Sequence, residues 1–445
     1  MREFVSDLLH RYGDDVPVLT HQHTVTHGRL RESVAAEAGL FAAAGVGEGS
    51  SVAVQVPPSF TRLEVVLALW VLGARVIPLS PRRTPAEREA EHALVRPQFV
   101  VRSAGRFGGA FRERHELVTE RRADGVPALT RHRLVRLRPA AGGPSAVVGR
   151  STESVIREVV RFTSAEGVAR RGERLLLPTG TSTGFGLLHA LAEGVHLVFP
   201  ATGSAGDVQR AAAAHEVDFV AGLPVHFARL VASPDRAALR TARAALSGGE
   251  PMPPEVADGF ARAYGFTVGE CFGTTETGAL TVDVAGTSRP SVGRPLGDTA
   301  LRVRDGLVEV ALDESPYLHD DGGRYADGWL RTGDRGRFDA RGNLVLLGRG
   351  DSLVVVRGRS VDLTEVEAVL RAHPLVTESI AVFDGAVRAY VGAGGGGPDE
   401  AEVLRWCRER LAAPAVPDRV HVLPALPRTS GGRLVRDAGV LAASR

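Results

Sequence analysis

From Ser51 onward, short unbroken apolar runs alternate with stretches whose apolar positions recur at helical spacing. "SVAVQVP" reads as a buried strand, the segment around Leu63 to Leu72 as a buried helix, and "ARVIPLSP" as a second strand. An Arg/Glu-rich helix near Glu87 and a third strand, "QFVVRS", complete a βαβαβ unit. The theme resumes with "RLLLPTG", a helix through "GLLHALAEG", "VHLVFP", a helix at Val208 to His215, "VDFVAGLP" and "AALSGGEP". Continuous apolar strands separated by helices predict mostly parallel sheets covered by helices on both faces. Ligands of such sheets bind beyond the carboxyl ends of the strands, so the Gly-rich turns there are the places to look for chemistry.

After Asp334 the pattern changes. "NLVLLGRGDSLVVVRGRSVDL" predicts a strand pair around a Gly-Asp turn, and "TEVEAVLRAHP" predicts a helix with a Thr364/Glu367 capping box. "ESIAVF" and "AVRAYVGA" read as strands, Gly392 to Pro398 as a flexible loop, and "EVLRWCRERL" as a final helix. The expectation is an α/β protein: a large N-terminal domain over 1–349, then a small mobile α+β lid over 350–445.

Composition narrows the function. The chain has 445 residues, 44% of them hydrophobic, enough for a large core. Its 54 basic and 52 acidic residues are interspersed with no basic stripe, which argues against nucleic acid and for a small-molecule substrate. Every basic residue is an arginine, and at a catalytic position arginine and lysine are not interchangeable. Cys271 and Cys407 stand far apart with no CxxC, which suggests neither a disulfide framework nor a zinc site and fits the cytoplasm. The N-terminus lacks a signal-peptide core. The most apolar run, "LEVVLALWVLGARVIPL", is interrupted by Gly73, Arg75 and Pro78 before the ~20 residues of a membrane span.

The strongest chemical signal is "GECFGTTETG", 269–278, at the end of an apolar strand. It sets an aromatic ring, hydroxyls and a carboxylate within one turn at a sheet edge. Phe272 is placed to stack on a purine, Thr275 to donate to a phosphate oxygen, and Glu276 to hold Mg²⁺. Alone, such a turn is more often only a helix cap.

In context this segment resembles the YGxTE signature of the adenylate-forming family of acyl-CoA synthetases, luciferases and adenylation domains. Four further motifs follow the family's series. "SGGEP", ending in Gly249, Glu250 and Pro251, resembles the segment lining the adenine; "GWLRTGD" ends in Asp334, where the family binds the ribose hydroxyls. "GRGDSLVVVRGRSVDLTEVE" resembles the hinge motif, which implies that Arg349 faces the nucleotide and Asp351 is the hinge. "LPRTSGGRLVR" resembles the C-terminal PKTxxGKIxR, with Arg433 at the catalytic lysine position. Gly273 and Thr274 complete the implied nucleotide pocket.

Departures from the family's pattern accompany these matches. Where it has the hydroxyl-rich loop TSGTTGxPKG around the phosphates, this chain reads "LRPAAGGPSAV": hydroxyls are lost, Pro139 removes a donor and Ser145 replaces the lysine. Arg136 and Arg138 are the cations at hand. The turn "LPTGTSTG" puts Thr181 and Ser182 where the resemblance implies the acyl substrate, with His226 lining the same pocket. Lacking the acidic residue that amino-acid-activating members place there, the turn points to a simple aliphatic or aromatic acid.

The resemblance implies ATP-dependent activation of a small carboxylic acid to acyl-AMP, with Thr275, Glu276 and Arg433 as catalytic residues and Mg²⁺ on Glu276. A lid rotation about Asp351 then delivers the thiol of CoA or of an acyl carrier protein's phosphopantetheine. The rival reading is an acyl-ligase fold kept as a binding or regulatory protein after losing its phosphate loop. An adenylate former with an amine acceptor is a third.

Overall fold

A computed structural model describes the whole chain except residues 106–109, 141–142, 179–182, 320–322, 357–358, 395–396, 429–432 and 445. The apolar runs form the cores of two sheets. In the nine-stranded sheet the parallel strands lie in the order Val268–Thr274, Ala244–Gly248, Phe219–Gly222, Arg174–Leu176, His196–Val198 and Pro17–Thr20. Antiparallel strands flank both edges. In the six-stranded sheet, Phe99–Ser103, Ser51–Gln55, Arg75–Pro78 and His132–Ala140 run parallel, and Gly143–Ser151 returns antiparallel to the last of them.

One hydrophobic core joins the two sheets, with Phe41, Leu67, Trp70, Leu134, Leu187 and Leu197 among its members. The helix Phe60–Val71 runs through it, buried on nearly every side as its mostly apolar sequence dictates. Ser59 caps it by accepting the Arg62 N–H at 3.0 Å. Its fully buried Glu64 is ion-paired to Arg114, and the Trp70 indole donates to the Arg133 carbonyl at 3.1 Å. Glu64 Oε2 and the Trp70 indole N–H therefore have partners.

Residues 301–349 form a third, five-stranded antiparallel sheet that the reading of parallel sheets did not anticipate. This corrects a second expectation. The strands on either side of the Gly-Asp turn do not pair with each other: Leu344–Arg349 pairs with Trp329–Phe338, whereas Leu353–Val356 pairs with Arg359–Asp362. A one-turn 3₁₀ segment, Gly350–Ser352, lies between them, and the Ser352 hydroxyl donates to the Arg349 carbonyl at 2.6 Å.

Beyond that turn lies a small α+β unit with its own core around Val366, Leu370, Val391 and Val403. Glu378–Phe383 and Val387–Gly392 form a hairpin, and Arg419–Leu423 adds a parallel strand that the apolar pattern did not reveal. The helix Leu363–Arg371 is capped by Asp362, which accepts the Thr364 N–H at 2.9 Å, so the expected Thr364/Glu367 box is not formed. Glu367 is needed elsewhere: its buried carboxylate accepts the Ala381 N–H at 3.0 Å and two bonds from Arg436. The chain is thus an α/β protein with a large N-terminal and a small C-terminal unit, and no helix among the described residues is long and apolar enough to cross a membrane.

Candidate active site

The carboxyl ends of Ala244–Gly248 and Val268–Thr274 lie side by side, paired from Ala245/Val268 to Gly248/Cys271, so their two turns share one edge of the large sheet. Gly249 has φ +85°, and a Cβ there would stand 3.0 Å from Arg433 Nε. Only glycine gives both that left-handed backbone and room for the guanidinium. The Leu434 N–H donates to Glu250 at 2.6 Å, and Arg428 reaches the same carboxylate at 3.7 Å. The "SGGEP" turn and the C-terminal motif, remote in sequence, therefore meet. Glu250, expected on the nucleotide, instead holds the small unit against the large one.

The strand carrying Phe272 turns back at Thr275–Thr277 to form a tight hairpin with Gly278–Asp283. A Cβ on Gly273 would overlap the Gly278 carbonyl, and one on Gly278 would overlap the Glu158 carboxylate. Arg150 holds that carboxylate at 2.5 Å, and it accepts the Ala279 N–H at 3.1 Å. Gly278 also has φ +74°. Gly278→Ala is expected to cost roughly 2 kcal/mol or more, from left-handed strain plus overpacking, as a lowered denaturation midpoint would record.

Phe272, Thr274 and Thr275 are half-buried at this edge, and Phe272 packs against the Leu280/Leu330 and Val308/Leu344 clusters. Thr274 and Thr277 share a hydrogen bond of 3.1 Å. Glu276 is 6% exposed, and the partners of its Oε1 are the Tyr317 hydroxyl at 2.7 Å and Arg138 Nε at 2.9 Å. The Arg138 contact is one of charge, because the Nε–H finds no aligned acceptor. Burial, reinforced by Glu276, pushes Tyr317 up to about 12, so it donates as a neutral phenol.

The metal role expected of Glu276 bears on the oxygen that these two contacts leave aside. The guanidinium stands against Oε1, so a Mg²⁺ held by Glu276 together with phosphate oxygens would use Oε2. No cluster of three or more His, Cys, Asp or Glu that could hold a metal occurs among the described residues.

Asp334 and Arg349 are cross-strand partners in the antiparallel sheet, with Nη1 at 3.3 Å from Oδ1. The two residues expected on the nucleotide are therefore brought together. Asp351 lies in the Gly350–Ser352 turn between the two units. Thr181 and Ser182 lie outside the described residues.

His226 is a correction. Its Nδ1 accepts the Leu223 N–H at 3.0 Å, capping its own helix, and only 4% of it is exposed. A ring so enclosed caps a helix rather than lining a substrate pocket. Burial, with Arg229 and Arg428 nearby, holds it down to about 3, and burial holds His189 down to about 4. Both stay neutral in the folded chain, while in the unfolded chain they titrate near ~6.5. As pH falls from about 6.5 toward 4, the unfolded chain takes up protons that the folded chain refuses. Stability should then fall by about 1.4 kcal/mol per pH unit for each group. Melting temperatures between pH ~7 and ~5 check this, and a flat profile contradicts it.

Tyr317 was not foreseen, because it lies in an irregular stretch after the Leu307–Ala311 strand and carries no motif. Arg150 and Glu158 gave no signal either; only Arg136 and Arg138 stood out, as cations in a loop stripped of hydroxyls. Cys271 borders the site, but burial, with Glu158 nearby, pushes its thiol up to about 12, so it is no nucleophile.

The sequence profile of the AMP-binding enzymes matches residues 7–138 and 142–315, and that of the AMP-binding enzyme C-terminal domain matches 365–433. A 2-succinylbenzoate–CoA ligase of Bacillus licheniformis is 25% identical over 466 aligned residues, covering 95% of this chain and 96% of its own. Among solved structures, O-succinylbenzoate coenzyme A synthetase from Bacillus subtilis, in complex with ATP and magnesium ion, superposes with a TM-score of 0.80 at 22% identity, over 99% of each chain. An amide bond synthetase from Marinactinospora thermotolerans superposes with a TM-score of 0.78 at 22% identity, over 100% of this chain and 99% of its own. At these identities the structural likenesses establish the fold alone.

Proposed function

Since this chain belongs to the AMP-binding enzyme family, we propose that it activates a small carboxylic acid with ATP to an acyl-adenylate and passes the acyl group to the thiol of CoA. The observation that carries this reading is the meeting of Arg433 with the Gly249 turn, secured by the Leu434–Glu250 hydrogen bond. That contact brings a cation of the small unit to the strand ends beside Thr275, where a nucleotide would lie.

In the first half-reaction a carboxylate oxygen attacks the α-phosphorus in line, the bond to the bridging oxygen breaks, and pyrophosphate leaves with its charge. Magnesium enters as the counter-ion of ATP, part of the substrate. Arg433 stabilises the charge that builds on the α-phosphoryl oxygens, and Thr275 donates to one of them. Phe272 and the Gly249–Pro251 turn border the base, and Asp334 and Arg349 take the ribose side. In the second half-reaction the small unit turns about Asp351, and the thiol, losing its proton, displaces AMP to give the thioester.

The full-length resemblance to a CoA ligase favours CoA over a carrier protein's pantetheine as the acceptor. A reaction that consumes ATP and CoA belongs in the cytoplasm. Incubation with ATP, Mg²⁺, CoA and a panel of aliphatic and aromatic acids tests this. Equal amounts of acyl-CoA and AMP by mass spectrometry are expected. ADP with acyl phosphate, or no product with any acid, refutes it.

A further inference from the structure

The segment that carries Arg433 is built as part of the small unit. Arg428 and Leu434 pair antiparallel, the Val435 N–H donates to the Pro427 carbonyl at 2.9 Å, and Leu434 packs with Leu426, Ile380 and Tyr390. Arg428 is ion-paired to Glu378, on the strand that carries Ile380. Arg436, just beyond Leu434, gives two bonds to Glu367 of the same unit. These contacts travel with the small unit whichever way it turns.

Glu250 belongs to the large unit and sits on a rigid turn. Gly249 precedes it with φ +85°, and Pro251 follows with its φ fixed by the ring. The Met252 N–H then donates to Glu270 at 3.3 Å, while the Met252 side chain is buried in the Val220/Phe260 core. From that turn the two carboxylate oxygens take separate tasks. Oε1 accepts the Leu434 N–H at 2.6 Å, and Oε2 stands 3.7 Å from Arg428. The peptide unit between Arg433 and Leu434 is planar, so a bond to its N–H fixes the direction in which the chain leaves Arg433. With that peptide pinned, the Arg433 guanidinium lies against the Gly249 turn, where a Cβ would come within 3.0 Å of its Nε. The side chains of Arg428 and Glu250 are 19% and 17% exposed, so water and salt screen the pair only in part.

We infer, on the basis of the adenylation reading above, that Glu250 is a positioning residue for the first half-reaction, which holds Arg433 at the strand ends and lets it go when the small unit turns. Arg428 is shared between the units in the observed arrangement, with Glu250 on one side and Glu378 on the other. Rotation breaks both Glu250 contacts and leaves Arg428 with Glu378. The guanidinium keeps a carboxylate partner in either state, and the freed Glu250 is hydrated. A contact made in one arrangement and lost in the other shifts the balance between them by its own free energy. Glu250 thereby sets both where Arg433 stands during adenylation and how readily the small unit leaves for the thiol step.

Electron–electron double resonance on the full chain tests this, with nitroxides on Leu40→Cys of the large unit and Leu375→Cys of the small one, both exposed positions. With ATP and Mg²⁺ and no acid, wild type is expected to show one dominant distance. Glu250→Ala is expected to lower the ratio of that population to the alternative about tenfold or more. Glu250→Gln should lower it less, because its amide oxygen still accepts the Leu434 N–H but lacks the charge that draws Arg428. In single turnover, with an acid active in the panel above and its adenylate, Glu250→Ala should slow adenylation about tenfold or more relative to its effect on transfer to CoA. Distances in Glu250→Ala and Glu250→Gln that match wild type overturn the inference. Equal losses in both half-reactions also overturn it, because they mark a structural role. Should Glu250→Ala fail to fold, Glu250→Gln carries the test with the same outcomes. Absence of adenylation by wild type with every acid would instead bring down the adenylation reading, and the distances, which need no acid, still decide whether Glu250 holds the two units together.

Discussion

Arg433→Ala is expected to slow acid-dependent adenylation about 10²-fold or more, while thioester formation from supplied acyl-adenylate stays within about threefold of wild type. Arg433 is carried on the small unit yet lies over Gly249, and the Leu434–Glu250 bond and the Arg428–Glu250 ion pair hold that segment in place. A charge delivered to the α-phosphoryl oxygens only in this arrangement contributes only to the step performed there. Loss of about 2.7 kcal/mol of transition-state stabilisation corresponds to the stated factor. Arg433→Lys should retain adenylation, because the compact ammonium keeps the charge. Single-turnover measurement of each half-reaction separates these outcomes. Equal losses in both would assign Arg433 a structural role.

Asp351→Pro is expected to do the opposite: adenylation persists and transfer to CoA falls about 10²-fold. Residue 351 sits in the one-turn 3₁₀ segment Gly350–Ser352, between the last strand of the antiparallel sheet and the first strand of the small unit. Proline fits the φ of such a turn, so the observed arrangement survives the substitution. The rotation that the second half-reaction needs must change the backbone there, and proline opposes it. Parallel loss of both half-reactions, with a lowered melting temperature, would indicate misfolding.

Much of this site was legible in the sequence because it rests on local signals. The continuous strands, the glycines at 249 and 273 and the ordered motifs all report on short stretches of chain, and the structure brings Asp334 to Arg349 and Arg433 to Gly249. Long-range register was not legible. Nothing in the neighbourhood of Glu276 announces that Arg138 and Tyr317, distant along the chain, converge on the same carboxylate oxygen. Competition for one side chain was hidden for the same reason. Glu367 looks like a capping partner of Thr364 until Arg436 and the Ala381 amide claim it, and Asp362 then takes over the cap. His226 likewise looks like a pocket residue by position, but its Nδ1 serves Leu223. The pairing of Leu344–Arg349 with Trp329–Phe338 escaped because an apolar run does not state its partner.

The most direct test of adenylate formation is exchange of labelled pyrophosphate into ATP with Mg²⁺ and a panel of carboxylic acids. The account predicts exchange that depends on the acid, stops when the acid is omitted, and falls about 10²-fold in Arg433→Ala. Absence of exchange with every acid, from wild type and Arg433→Lys alike, in a folded protein that still binds AMP, would contradict it.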